Sequence, residues 1–117
     1  MTDFNIPLKN AAKSGIGPAS SGVYILRLNG RVMKVGSAAI GIQKRMQQYY
    51  DLNPFCGLNR HINKENRDSI SVTYQTCLPS ACEELESKLF DKYGPIHLMP
   101  WATRRPNCTQ NQYTLLI

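Results

Sequence analysis

The stretch GVYILRLNGRVMKVG, residues 22–36, contains two apolar runs that are separated by one Asn-Gly pair. The runs are Val23–Leu28 and Arg31–Val35, and both are rich in residues that strands favour. Asn29-Gly30 fits a two-residue hairpin turn, because both central residues of a type I′ turn need a positive φ. The sequence therefore predicts a β-hairpin whose second strand ends at Gly36.

A two-residue turn also predicts which residues of the hairpin face each other. If Leu28 pairs with Arg31 and the register is uninterrupted, Tyr24 faces Val35, and Lys34 lies diagonal to the tyrosine. A lysine near a phenol favours the phenolate, so we expect Lys34 to lower the pKa of Tyr24. The alternative is an exposed lysine beside a half-buried tyrosine, which is common in hairpins.

The residues after the hairpin predict a helix, a polar excursion and a third strand. Ile42, Met46 and Tyr49 recur at helical spacing within residues 40–50 and form one apolar face. Residues 51–68 are polar and basic, and a loop of this length in a small domain is often functional. The alternating stretch ISVTYQ, residues 70–75, predicts a strand.

A second helix is expected from Ser80 to about Tyr93. Ser80 and Glu83 have the spacing of a capping box, in which each side chain accepts a hydrogen bond from the other residue's backbone amide. Gly94-Pro95 then ends the helix, since proline does not continue it.

Glu86 is the unusual residue of this second helix. On a helical wheel it lies roughly 40° from Cys82, inside an apolar stripe. A carboxylate in such a stripe is costly unless a cation or a metal meets it. A structural pairing with an arginine, or a helix rotated enough to expose the glutamate, would also explain its position.

The expected order is strand, strand, helix, strand, helix, which is an α+β arrangement. We expect a small three-stranded antiparallel sheet flanked by helices. The chain has 117 residues, which allows one domain. Residues 1–21 form a lead-in, residues 22–98 a core and residues 99–117 a tail.

The charge of the chain points to a polyanionic partner. Lys and Arg number 14 against 8 Asp and Glu, which gives a net charge of +6, so nucleic acid is the first candidate. The longest apolar run, Val23–Leu26, is too short to span a membrane. The first residues contain no apolar segment typical of a secretory signal, so we expect a cytoplasmic protein.

The cysteines form no C-x-x-C pair, and their spacing fits no common zinc finger. A zinc site could still draw on several of them together with a histidine, which leaves a small zinc-binding interaction domain as one alternative. We expect reduced thiols in the core rather than disulfides. The residues concerned are Cys56, Cys77, Cys82, Cys108, His61 and His97.

Four pieces of the sequence, taken in order, resemble the GIY-YIG nuclease superfamily. Gly22-Val23-Tyr24 matches the first tripeptide with Val for Ile, and Lys34-Val35-Gly36 matches the second with Lys for Tyr and Val for Ile. Arg45 lies on the next predicted helix and Glu86 on the later one, as in the family. The resemblance covers about residues 22–98.

Two residues depart from the family pattern. Lys34 stands in place of the second tyrosine, which resembles a subgroup found among restriction enzymes. Leu98 stands where the family's asparagine is expected, so the pattern lacks one supporting polar contact.

The resemblance implies metal-dependent hydrolysis of a phosphodiester. Glu86 would hold one hard cation, Mg²⁺ or Mn²⁺, and Arg45 would hold the scissile phosphate. Tyr24 would be the general base, with Lys34 lowering its pKa. Tyr49, one helical turn after Arg45, would be an alternative base or would orient the reacting groups.

Contacts to DNA beyond these groups are expected from the basic excursion and the tail. They would bind phosphates and weaken with salt, although a solvated charged loop explains the same residues. The expected DNA-binding residues are Arg45, Arg60, His61, Lys64, Arg67, Trp101, Arg104 and Arg105.

The leading hypothesis is a DNA endonuclease acting on double-stranded DNA, with restriction-type cleavage favoured by Lys34. Cutting both strands with one site per chain indicates a homodimer. A homing, phage or structure-specific repair nuclease of the same family is an alternative. A non-catalytic nucleic-acid-binding module on the same fold is another, and the absent asparagine supports it.

Overall fold

The computed structural model describes residues 5–54, 58, 61–94 and 99–101. The predicted order of strand, strand, helix, strand, helix is present, and two short elements precede it. In chain order the elements are β1 (Ile6–Pro7), α1 (Leu8–Ala11), β2 (Gly22–Leu28), β3 (Arg31–Ala38), α2 (Ile42–Tyr50), a 3₁₀ turn (Arg67–Ser69), β4 (Ile70–Thr76) and α3 (Pro79–Tyr93).

The sheet is antiparallel and has four strands in the order β1-β4-β2-β3. The expectation of three strands is therefore wrong. The added strand β1 consists of two residues, Ile6 and Pro7, which pair with Val72 and Ser71 of β4. Two residues are too few to show the alternating pattern by which strands are predicted from sequence, and proline is rare inside strands. The sequence therefore gives no signal for β1.

The hairpin turn is confirmed at Asn29-Gly30. Asn29 has φ 51° and Gly30 has φ 87°, the left-handed conformations that a type I′ turn requires. The second strand continues past Gly36, however, and ends at Ala38. Ser37 and Ala38 remain in the ladder because they pair with the first residues of β2.

The uninterrupted register predicted for the hairpin is wrong, because an irregularity lies between Leu26 and Arg27. Arg27 pairs with Val32, but Leu26 pairs with Lys34, so β3 has one extra residue at this point. The shift is that of a β-bulge, which re-aims the side chains that follow it. As a result Tyr24 faces Gly36 instead of the preceding residue.

Each face of the sheet carries its own core, because side chains of β2 alternate between the two sides. Tyr24 and Leu26 belong to a cluster with α1 and α2, whereas Val23 and Ile25 belong to a cluster with α3. The second cluster also contains Val35, Cys82, Leu89, Phe90 and Met99. The two long helices therefore lie on opposite faces of the sheet.

The helix starts differ slightly from those expected. α2 begins at Ile42, directly after Gly41 with φ 114°. α3 begins at Pro79, and in the described part of the chain no side-chain hydrogen bond caps it, so the Ser80–Glu83 capping box is wrong. Proline suits the first helical position, which moves Ser80 inside the helix. No helix in the described residues is long and apolar enough to cross a membrane.

Gly36 is tested by replacing it with alanine. A Cβ at this position would lie 2.6 Å from both Cζ and the hydroxyl oxygen of Tyr24, a side chain that the core holds in place. We expect Gly36→Ala to reduce the free energy of unfolding by about 1–3 kcal/mol, measured by urea denaturation. The double variant with Tyr24→Ala removes the clash, so the alanine at 36 should then cost much less. Equal costs in both backgrounds would contradict this packing.

Candidate active site

Two buried tyrosines from different elements meet above Gly36. Tyr24 of β2 is 1% exposed and Tyr49 of α2 is 3% exposed. Their hydroxyl oxygens are 2.5 Å apart, and their rings meet edge to face with centroids 6.0 Å apart. Because β3 is the last strand of the sheet, the Tyr24 ring extends over Gly36 toward this edge.

Two opposite charges act on the Tyr24 hydroxyl. Burial raises the pKa of Tyr24 well above its usual value, and the charge and hydrogen bond of Tyr49 raise it further. The positive charge of Arg45 lowers this pKa, and the negative charge of Glu86 raises it. The fold therefore brings Arg45 on α2 and Glu86 on α3 within electrostatic reach of one phenol.

The expectation that the pKa of Tyr24 is lowered is wrong. A fully enclosed phenol loses the hydration that would stabilise its charged form, and this effect exceeds the attraction of the cation. Lys34 is half-buried and lies on the same face of the hairpin as Tyr24, two residues before Gly36. The cation that opposes the effect of burial on Tyr24 is Arg45.

Arg45 has an unsatisfied donor beside the tyrosines. Its Nε is buried and has no hydrogen-bond partner among the residues that the structure describes. A buried donor without an acceptor costs free energy, so an anionic ligand at this point would be stabilising. The planar guanidinium group of arginine can donate two parallel hydrogen bonds to the oxygens of a phosphate.

Glu86 lies on the inward side of α3, as the helical wheel predicts. On this side of the helix Cys82 and Phe90 are buried and Glu86 is half-buried. Glu84, in contrast, is exposed, and its Oε1 lies 3.6 Å from Nζ of Lys88. Among the described residues, no group of three or more His, Cys, Asp or Glu side chains is arranged so that it could hold a metal ion. A single carboxylate suits a hard cation such as Mg²⁺, which keeps several waters.

The zinc alternative receives no support from the described cysteines. Cys77 and Cys82 are free thiols, as expected. Cys56, His97 and Cys108 lie outside the described residues.

Trp101, one of the expected DNA-binding residues, is buried in this structure. Its side chain is 4% exposed, and its ring stacks on the His61 ring with centroids 5.9 Å apart and an interplanar angle of 18°. The backbone N–H of Trp101 donates to the backbone carbonyl of Met33 at 3.0 Å. Burying the large apolar area of a tryptophan ring stabilises the fold, which explains why the side chain lies in the core. Trp101 therefore packs beside the bulge of β3 and holds the excursion through His61.

Arg67 is engaged in holding the excursion to α2. Its guanidinium lies over the Tyr50 ring at 4.6 Å, and Nη1 donates to the Tyr50 carbonyl at 2.9 Å. Tyr50 in turn donates to Asp68 at 2.7 Å. Lys64 is exposed and His61 is half-buried, whereas Arg60, Arg104 and Arg105 lie outside the described residues, as does Leu98.

Gly36 is the site residue whose role sequence reasoning missed. The sequence predicts the end of a strand at Gly36, whereas in the structure this glycine leaves the space that the Tyr24 ring occupies. The available signal was a glycine within an otherwise strand-like stretch, which often marks a close approach.

Solved structures with the same fold exist. The magnesium-bound GIY-YIG N-terminal endonuclease domain of UvrC from Thermotoga maritima is 23% identical, with a TM-score of 0.56 over 81% of this chain and 93% of that one. An asparagine-to-alanine mutant of that domain, bound to its catalytic divalent cation, is 26% identical, with a TM-score of 0.56. The match covers 82% of this chain and 93% of that one. A tyrosine-to-phenylalanine mutant of the same domain, bound to the catalytic divalent cation, is 25% identical, with a TM-score of 0.52. The match covers 74% of this chain and 87% of that one.

These comparisons confirm the resemblance to the GIY-YIG superfamily at the level of the fold. No protein-family model matches the chain, and no curated protein matches it. The sequence motifs and the three-dimensional arrangement therefore agree on one family fold.

The hydroxyl pair is tested by a double-mutant cycle. Tyr24→Phe or Tyr49→Phe alone leaves the other buried hydroxyl without this partner, so each should cost about 1–3 kcal/mol of unfolding free energy. The double variant removes both groups and should cost about 1 kcal/mol less than the sum of the two. Urea denaturation of the four proteins measures the coupling. Strictly additive effects would show that the hydroxyls do not interact.

Proposed function

We propose that this protein is a metal-dependent endonuclease that hydrolyses phosphodiester bonds of double-stranded DNA. The observation that carries the proposal is one buried phenol, Tyr24, which is hydrogen-bonded to Tyr49 and lies within reach of the charges of Arg45 and Glu86. The four residues lie on three different elements, so their proximity is a result of the tertiary fold. The structural likeness to endonuclease domains supports the same conclusion.

Glu86 is the residue that would hold the cation, Mg²⁺ or Mn²⁺. When bound, the cation supplies Lewis-acid stabilisation of the negative charge that develops on the leaving oxygen. A single half-buried carboxylate fits this role, because it leaves coordination positions for water and phosphate oxygens. The divalent cation of the UvrC domain supports the assignment.

Arg45 would bind the scissile phosphate. Its buried Nε supplies a donor that has no acceptor among the described residues, and a phosphate oxygen satisfies it. The same positive charge would stabilise the additional negative charge of the pentacovalent transition state, where a preorganised cation is most effective.

Tyr24 would take the proton from the attacking water. Only its phenolate can do so, and burial disfavours the phenolate, whereas Arg45 favours it. Lys34, on the same face of the hairpin, would add a second positive charge near the site. Tyr49 is the alternative base, and undiminished cleavage by Tyr24→Phe would assign the role to Tyr49.

Glu86→Gln tests the metal role. The amide keeps the size of the side chain but removes its charge, so we expect DNA cleavage with Mg²⁺ to fall by at least about 100-fold while the protein stays folded. A plasmid nicking assay measures the rate, and EDTA should abolish cleavage by the wild type.

Glu84→Gln is the matched control for this change. It makes the same replacement on the exposed side of α3, where only a surface ion pair is lost, so activity should remain at the wild-type level. If Glu86→Gln cuts DNA as fast as Glu84→Gln, Glu86 does not hold the cation. A wild type that binds DNA without cutting under any metal would instead be a non-catalytic module.

Arg45→Ala tests the phosphate role. We expect a loss of roughly 100-fold in cleavage rate, because a charge aimed at the transition state is removed. DNA binding, measured separately by fluorescence anisotropy, should weaken less than the rate falls. Lys44→Ala removes a neighbouring exposed charge and should leave the rate nearly unchanged. Normal turnover by Arg45→Ala would refute the assignment.

We propose further that cleavage is of the restriction type and that two copies act together. Lys34 in place of the second tyrosine supports the first point, and one site per chain supports the second. Digestion of mixed-sequence DNA followed by sequencing of fragment ends tests specificity. A defined sequence at the cut ends supports a restriction enzyme, whereas cuts at a recurring DNA structure favour a repair nuclease. A single long recognition site would favour a homing or phage nuclease.

A further inference from the structure

Two thiols outside the proposed nuclease site are almost within bonding distance. The sulfur atoms of Cys77 and Cys82 are 2.7 Å apart, about 0.7 Å more than the length of a disulfide bond. Both cysteines are free in this structure. Cys77 follows the end of β4, and Cys82 lies in the first turns of α3.

The backbone around both thiols is held in place. The N–H of Cys77 donates to the carbonyl of Ser21 at 3.0 Å, and the hydroxyl of Ser21 donates to the carbonyl of Cys77 at 2.6 Å. Cys82 is part of α3, and its thiol is directed toward the Cys77 carbonyl at 3.7 Å. Because both backbones are held in place, the two sulfur atoms are already close together, and little conformational entropy is lost when a bond forms between them.

The two thiols differ in their access to solvent. Cys77 is half-buried and lines an open cleft of about 440 Å³ together with Ser20, Ser21, Thr76 and Leu78. Cys82 is 3% exposed and packs in the cluster between α3 and the sheet. A small oxidant can therefore reach Cys77 from the cleft, whereas Cys82 is shielded.

We propose that Cys77 and Cys82 form a redox-active dithiol that a low-molecular-weight disulfide, such as glutathione disulfide, oxidises to an intramolecular disulfide. The Cys77 thiolate attacks one sulfur of the oxidant and releases one thiolate, which leaves a mixed disulfide on Cys77. The Cys82 thiolate then attacks the Cys77 sulfur, closes the bond and releases the second thiolate. The two protons lost by the cysteines neutralise the two released thiolates, so the oxidant is reduced to two thiols.

The reduced pair is protected from rapid oxidation. Burial, the hydrogen bond to Cys82 and the charge of Cys82 raise the pKa of Cys77 to about 12. Because the thiolate is the reacting form, a raised pKa slows exchange at neutral pH.

The site goes beyond the proposed nuclease function and does not require it. The disulfide would tie the end of β4 to α3, and Glu86 follows Cys82 by four residues on the same side of that helix. Oxidation is thus expected to restrain the helix that carries the carboxylate. The chemistry of the thiols can be measured without any assay of DNA cleavage.

Peptide mapping of the wild type tests the proposal. Trypsin cleaves after Arg67 and Lys88 and leaves both thiols in the single peptide of residues 68–88. After incubation with excess glutathione disulfide and blocking of free thiols, we expect this peptide to lose the mass of two hydrogens and to gain no blocking group. A peptide that stays fully blocked, or one linked to Cys56 or Cys108, would overturn the proposal.

Two serine variants check the order of the steps. Cys82→Ser removes the thiol that resolves the mixed disulfide, so glutathione should accumulate on Cys77. Cys77→Ser leaves the shielded thiol, which should acquire no glutathione under the same conditions. Glutathione found mainly on Cys82 in the second variant, or its absence from Cys77 in the first, contradicts the proposed roles. Reduction with dithiothreitol should restore the free peptide in the wild type.

Discussion

The contact between the Tyr24 and Tyr49 hydroxyls is the constraint on which the rest of the site depends. It joins β2 to α2 through two side chains that are almost fully buried, and it fixes a polar group inside an apolar cluster. A buried hydroxyl needs a partner, so each tyrosine determines where the other can lie. Gly36 makes the contact possible, because a side chain there would occupy the space of the Tyr24 ring.

The electrostatic character of the site follows from this burial. A phenol enclosed in the core is strongly biased toward its neutral form, and only a cation that lies close to it can oppose the bias. Arg45 supplies such a charge from the same helix as Tyr49, and Glu86 supplies the opposite charge from the other face of the sheet. The fold thereby brings a phenol, a guanidinium and a carboxylate within electrostatic reach of one another.

The sequence predicted the elements well where the signal was local. The Asn-Gly turn, the apolar face of α2 and the inward position of Glu86 each depend on neighbouring residues, and each is present. The added strand β1, the buried position of Trp101 and the register of Tyr24 depend on contacts between distant segments. The raised pKa of Tyr24 belongs to the second group, since it results from burial by the whole fold.

The extra residue in β3 determines which residue of that strand faces Tyr24. In a ladder closed by a two-residue turn, facing partners always have one odd and one even number, yet Tyr24 and Gly36 are both even. Only an irregularity between the turn and this pair can bring them together. With all residues of β3 retained, an uninterrupted register would give a more regular strand but would place Val35 opposite Tyr24. At the present length of β3, the bulge is therefore what places a residue without a side chain beneath the Tyr24 ring.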